Sequence, residues 1–259
     1  MSGRVSGSVG RGAWLRRLGP EPPAAEATLV CLPHAGGAPA FYRDWPRLLS
    51  PTLDVVSVCY PGRQDRLGEP PATDMAELAE EVSAALAPLA GRPLAVFGHS
   101  MGAVVGYEAA RLLQARYGVR PVCLFVSGMV APHRVPQRTR HLLEEPDLVA
   151  HLLEQGGTDP EVLADEELRA LVMPAVRADY RLIDTYRPLA GDEALDTPIV
   201  AYYGRQDPAV SAPDVHEWQR CTRATAEVHA FPGGHFYLSR MHETLTADVR
   251  DRILAALRS

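Results

Sequence analysis

The sequence predicts a doubly wound α/β fold: a mostly parallel sheet flanked by helices, with a helical segment inserted late in the chain. Three observations predict it. Six short apolar runs recur, and they are continuous rather than alternating, as strands covered on both faces read. Segments of helical periodicity separate them. The stretch Ala131–Thr197 breaks this rhythm and holds no strand-like run.

The elements follow in order. The N-terminus, Met1–Ala27, is rich in Gly, Ser, Pro and Arg and lacks the apolar core of a signal peptide, and its outermost part is Met1–Gly12. That part reads as a flexible arm (residues 1–12) before a single domain over residues 13–259. Thr28–Leu32 and Asp54–Cys59 are the first two strands. Thr73–Leu89 opens on Thr-Asp and sets Met75, Leu78, Ala79, Val82, Ala85, Leu86 and Leu89 along one helical stripe. The strand Leu94–Phe97 runs into a helix over Met101–Tyr117, and Val122–Ser127 is the next strand. Helical pieces follow at Leu148–Gln155 and from Asp165–Asp179 toward Tyr186. The insertion is too long for a simple crossover, so a helical lid over about residues 131–197 is expected. Pro198–Tyr203 and Ala226–Phe231 are strands, and Leu238–Leu257 is the closing helix.

Composition narrows the function. The 259 residues are 46% hydrophobic and 22% charged, as in one ordinary globular domain. No apolar run approaches the roughly 18 residues that span a bilayer, so no membrane role is expected. A net charge of -6 argues against nucleic acid as a partner. All 26 cationic side chains are Arg, and Asn is absent too, which reads as codon bias. Cys31, Cys59, Cys123 and Cys221 form no C-x-x-C pair. Three of them lie in strand-like runs. Buried free thiols and a reducing cytoplasm are expected, in a monomeric protein.

Gly98-His-Ser-Met-Gly102 matches G-x-S-x-G between a strand and a helix, the context of a nucleophile elbow. The tight turn strains Ser100, and the flanking glycines avoid clashes. Ser100 then stands above the sheet at the positive end of a helix dipole. A serine N-cap with glycines for close packing would give the same string. A serine hydroxyl also needs a base. His235 follows the last strand on a Gly-Gly loop. Of the other histidines, His34 and His99 lie in turns that could line the site. His133, His141, His151 and His216 read as solvent or cap residues. Asp207, in Gly204-Arg-Gln-Asp-Pro at the carboxyl end of a strand, is placed to orient the imidazole. An Asx turn before Pro208 would look alike. The order Ser100, Asp207, His235 is that of α/β-hydrolases. Acyl transfer also needs an oxyanion hole. Its donors are expected to be the Met101 amide and, from Leu32-Pro-His-Ala-Gly-Gly37, the Ala35 amide. A phosphate loop is excluded because the chain has no Lys.

Together, Cys31-Leu-Pro-His-Ala-Gly-Gly, Tyr60-Pro-Gly-Arg, Gly98-His-Ser-Met-Gly and Gly233-Gly-His-Phe resemble the type II thioesterases of polyketide and nonribosomal peptide synthesis. Trp14-Leu-Arg-Arg resembles the start of that domain. The resemblance implies an α/β-hydrolase core with a mobile helical lid. It also implies hydrolysis of stalled or wrong acyl groups from the phosphopantetheine arm of acyl or peptidyl carrier domains. No metal or cofactor is implied, since the pantetheine belongs to the substrate. Such carriers are usually acidic, so a local basic patch is needed against the net charge of -6. Arg134, Arg138 and Arg140 are its candidates, with a solvated basic turn as the equal alternative. Another acyl hydrolase of the fold, a carboxylesterase or a product-releasing thioesterase, stays open beside this reading. So does a catalytically silent, ligand-binding relative.

Overall fold

The computed structural model describes residues 14–189 and 194–258. The arm expected over residues 1–12 lies outside them. Seven strands form one sheet: β1 (Leu15–Arg17), β2 (Ala27–Leu32), β3 (Leu53–Val58), β4 (Leu94–His99), β5 (Cys123–Ser127), β6 (Ile199–Gly204) and β7 (Ala226–Phe231). Their order is β1-β3-β2-β4-β5-β6-β7. Only β1 is antiparallel to its neighbour; β2 to β7 all pair in parallel. The α/β class predicted from the sequence is the class observed.

Continuous burial explains the apolar runs. Every residue of β2, β3, β4 and β5 is buried. Their side chains alternate between two cores, one on each face. Val30, Leu32 and Val96 point to one. Leu29, Cys31, Ala95 and Phe97 point to the other. The first core is covered by α2 (Met75–Leu86) and α3 (Met101–Tyr117). The second is covered by the short α1 (Trp45–Leu49) and by α8 (His242–Ala256). Asp74, and not Thr73, caps α2, its carboxylate accepting the Ala76 and Glu77 amides.

Between β5 and β6 lie α4 (Glu145–Gln155), α5 (Pro160–Ala164) and α6 (Glu166–Asp184). They share a small core of Leu148, Leu152, Leu163, Met173, Val176 and Tyr180. A last short helix, α7 (Ala212–His216), follows β6. The expected closing helix is two pieces, a 3₁₀ turn at Tyr237–Ser239 and then α8. All four cysteines are free and buried. Among the described residues, no helix is long and apolar enough to cross a membrane.

Candidate active site

β4 delivers Ser100 into a sharp turn. Its backbone sits at φ 53° and ψ -121°, a region that non-glycine residues avoid. Packing imposes this strain. A Cβ at Gly98 would lie 2.1 Å from the Gly102 carbonyl, and one at Gly102 would lie 2.2 Å from the Leu32 carbonyl. The start of α3 therefore touches the end of β2, and the loop after β2 comes beside Ser100. Ser100 occupies the N-cap position of α3, yet its hydroxyl caps no amide. It donates instead to Nε2 of His235, at 3.0 Å.

His235 Nδ1–H donates to Asp207 Oδ2 at 2.7 Å. The Asp207 side chain is fully buried. Its Oδ1 accepts the Ala209 amide at 2.9 Å, so the carboxylate cannot swing away from the ring. The structure thus joins Ser100, His235 and Asp207 in one hydrogen-bonded line. The Asx turn at Asp207 is present too; it anchors the acid.

The loop Pro33–Gly37, expected to carry the second oxyanion donor, follows β2 directly. Gly37 N–H closes a turn onto the His34 carbonyl at 2.9 Å. Gly36 N–H donates to Asp179 Oδ2 at 2.8 Å. Among the described residues, neither the Ala35 amide nor that of Met101, the first residue of α3, donates a hydrogen bond. Ala35 lines the same cavity as Ser100 and His235.

Two further imidazoles flank the triad. His99 is the last residue of β4, not a turn residue as expected. It is wholly buried, with its ring 5.0 Å from that of His235. Its Nδ1 pairs with Ser127 Oγ, which pairs with the Tyr237 hydroxyl. His34 packs edge-on against Phe41 and Phe236. Burial, then the nearby His235, hold the His34 pKa down at about 3, and burial depresses that of His99 as well. Both stay neutral, so neither opposes an imidazolium forming at His235.

An unfolded histidine titrates near 6.5. Below that pH the unfolded chain binds protons that folded His34 refuses. This contribution to stability is full above pH ~6.5 and is lost as pH falls toward 3. Between pH 7.5 and 5.5, wild type should lose about 1.4 kcal/mol more unfolding free energy than His34→Phe. Denaturant titrations at the two pH values measure it; equal losses would contradict the buried neutral state.

The cavity over Ser100 holds about 80 Å³ and is walled by Met129, Val130, Val135, Arg138, Arg140, His151, Tyr180 and Val210, among others. On the far side of His34, between α6 and the core, is a wider cleft of about 560 Å³. His151, expected to be a solvent or cap residue, lies on α4 of the inserted segment, where it is partly buried, lines the cavity and packs on Tyr180.

The three arginines do not form one uncommitted basic patch. Arg134 is paired with Asp214 at 2.9 Å. Arg140 grips the buried Asp184 at 2.6 Å and lies over the Tyr180 ring. Of the three, Arg138 alone is exposed with its guanidinium in no hydrogen bond or ion pair among the described residues, at the cavity wall. The sequence signal missed these partners because they lie 44 and 80 residues away. It also gave no role to Asp179, or to Arg63 of the Tyr60-Pro-Gly-Arg motif.

Residues 27–253 match the family model described as a thioesterase domain. The chain is 43% identical over 251 residues to Thioesterase PikA5 of Streptomyces venezuelae, covering 95% of this chain and 88% of that protein. It is similar to the solved type II thioesterase BorB from the borrelidin biosynthetic cluster. The TM-score is 0.86 at 39% identity, over 93% of this chain and 98% of that one. The RedJ thioesterase of the prodiginine pathway in Streptomyces coelicolor gives 0.82 at 35% identity, over 89% and 87%.

Proposed function

The chain belongs to the thioesterase domain family, and from that premise we propose that it removes acyl groups from the phosphopantetheine arm of carrier domains in polyketide or nonribosomal peptide assembly, with Ser100 as nucleophile. The hydrogen-bonded line Ser100–His235–Asp207 at a strained strand–helix turn carries this reading.

His235 Nε2 takes the Ser100 proton as Oγ attacks the thioester carbonyl carbon. The carbonyl oxygen becomes an oxyanion and accepts the Met101 and Ala35 amides, aided by the α3 dipole. The C–S bond breaks, and His235 returns the proton to the departing pantetheine thiolate. Water, deprotonated by the same nitrogen, then attacks the acyl-serine. The acid leaves and Ser100 regains its proton. Asp207 holds the imidazole in the tautomer that presents Nε2 to Ser100.

The cavity of about 80 Å³ is small beside the roughly 300–1,000 Å³ usual for ligand sites. The inserted segment walls this cavity through Arg138, Arg140, His151 and Tyr180, which places it to act as a lid that admits the arm and its acyl group. Arg138 is the residue left to meet an acidic carrier. Four buried free thiols support a reducing cytoplasmic setting.

Steady-state rates on an acylated carrier domain and on a p-nitrophenyl ester of the same acid test the substrate class. The carrier thioester is expected to win in kcat/KM by on the order of tenfold or more. Preference for the ester would favour the carboxylesterase reading instead.

A further inference from the structure

The Tyr60-Pro-Gly-Arg motif has no part in the chemistry above, yet it grips the oxyanion loop together with one residue of α6. Asp179 is 1% exposed. Its Oδ2 accepts the Gly36 amide at 2.8 Å and Arg63 Nη1 at 2.7 Å, and its Oδ1 accepts Arg63 Nη2 at 2.9 Å. Arg63 Nη1 also donates to the Gly37 carbonyl at 2.9 Å. The Tyr60 hydroxyl donates to the Pro33 carbonyl at 3.3 Å. Both flanks of the loop are thus held, and the unused Ala35 amide lies between them.

The grip falls where the loop could otherwise change form. His34–Gly37 is closed by a Gly37-to-His34 hydrogen bond, with Gly36 at φ 76°. A positive φ at the third position marks a type II turn, and flipping the Ala35–Gly36 peptide would convert it to type I. The Asp179 carboxylate holds the N–H of that peptide. Val176, one turn before Asp179, closes the remaining space, since a Cβ at Gly36 would lie 2.9 Å from Val176 Cγ2.

We propose that Asp179, fixed by Arg63, is a positioning residue for the oxyanion hole, so that α6, although part of the inserted segment, is a fixed part of the catalytic apparatus. Its activity arm rests on the thioesterase reading; its structural arm does not.

The structural arm is amide hydrogen exchange on the wild type, resolved by NMR. The Gly36 amide should be protected and the Ala35 amide should exchange freely. The reverse order overturns the proposal. The activity arm compares Asp179→Asn with the double variant Arg63→Met/Asp179→Leu, which leaves no unpaired buried charge if the single variant folds poorly. An acylated cysteamine is the substrate, and a trifluoromethyl ketone analogue mimics the tetrahedral adduct. In folded variants kcat should fall toward the roughly 10²–10³-fold that one oxyanion donor contributes. The ketone's inhibition constant should rise by the same factor, with KM nearly constant. A folded variant with wild-type kcat and ketone affinity, or with only KM raised, overturns the proposal. A wild type inert on every thioester would instead sink the thioesterase reading and leave the exchange result standing.

Discussion

Ser100→Ala is expected to lower thioester turnover by about 10⁶-fold, the scale on which loss of a triad serine alone stops a serine hydrolase. The fold should be untouched. Alanine carries the same Cβ as serine, so the strain at φ 53° is unchanged. The hydroxyl's hydrogen bond within the described residues is the one it donates to His235. Removing it costs about 1 kcal/mol or less of stability. Denaturation midpoint and turnover, measured on one preparation, separate the two effects. Residual activity within about tenfold of wild type would show that another group attacks the carbonyl.

Asp207→Asn is expected to lower turnover by about 10⁴-fold. The cause is tautomeric. The carboxylate accepts the Nδ1 proton of His235, which leaves Nε2 as the acceptor facing Ser100. An asparagine whose amide nitrogen faces Nδ1 favours the opposite tautomer, with Nε2–H aimed at the nucleophile. Asp207 Oδ1 is already committed to the Ala209 amide, so an asparagine oxygen kept there forces that orientation. The loss should fall on kcat, because the acyl cavity is not altered. A rise in KM with kcat preserved would mean that Asp207 only shapes the loop.

Much of this fold was legible because parallel strands are buried on both faces and therefore read as unbroken apolar runs. The hydrogen-bonded line of Ser100, His235 and Asp207 was legible because each member sits just beyond a strand's carboxyl end, where the chain order Ser100, Asp207, His235 can be checked against the elements. What was not legible depends on distant pairing. β1 is three residues long with two arginines, too short for any period to register. The basic run Arg134–Arg140 looks free in sequence, but Asp214 and Asp184 neutralise two of its members. Asp179 reads as one polar position in an amphipathic helix. Its role follows only from Arg63, 116 residues earlier, and from the Gly36 amide.

The central claim is that an acyl group passes from a carrier's pantetheine sulfur to Ser100 and then to water. Intact-protein mass spectrometry of an acylated carrier domain mixed with the enzyme tests it most directly. The account predicts that the carrier loses the acyl mass while keeping its phosphopantetheine. It also predicts that the enzyme transiently gains the same acyl mass on a peptide containing Ser100, and that Ser100→Ala shows neither change. A carrier that stays acylated while simple esters are cleaved, or that is deacylated equally by Ser100→Ala, would contradict it.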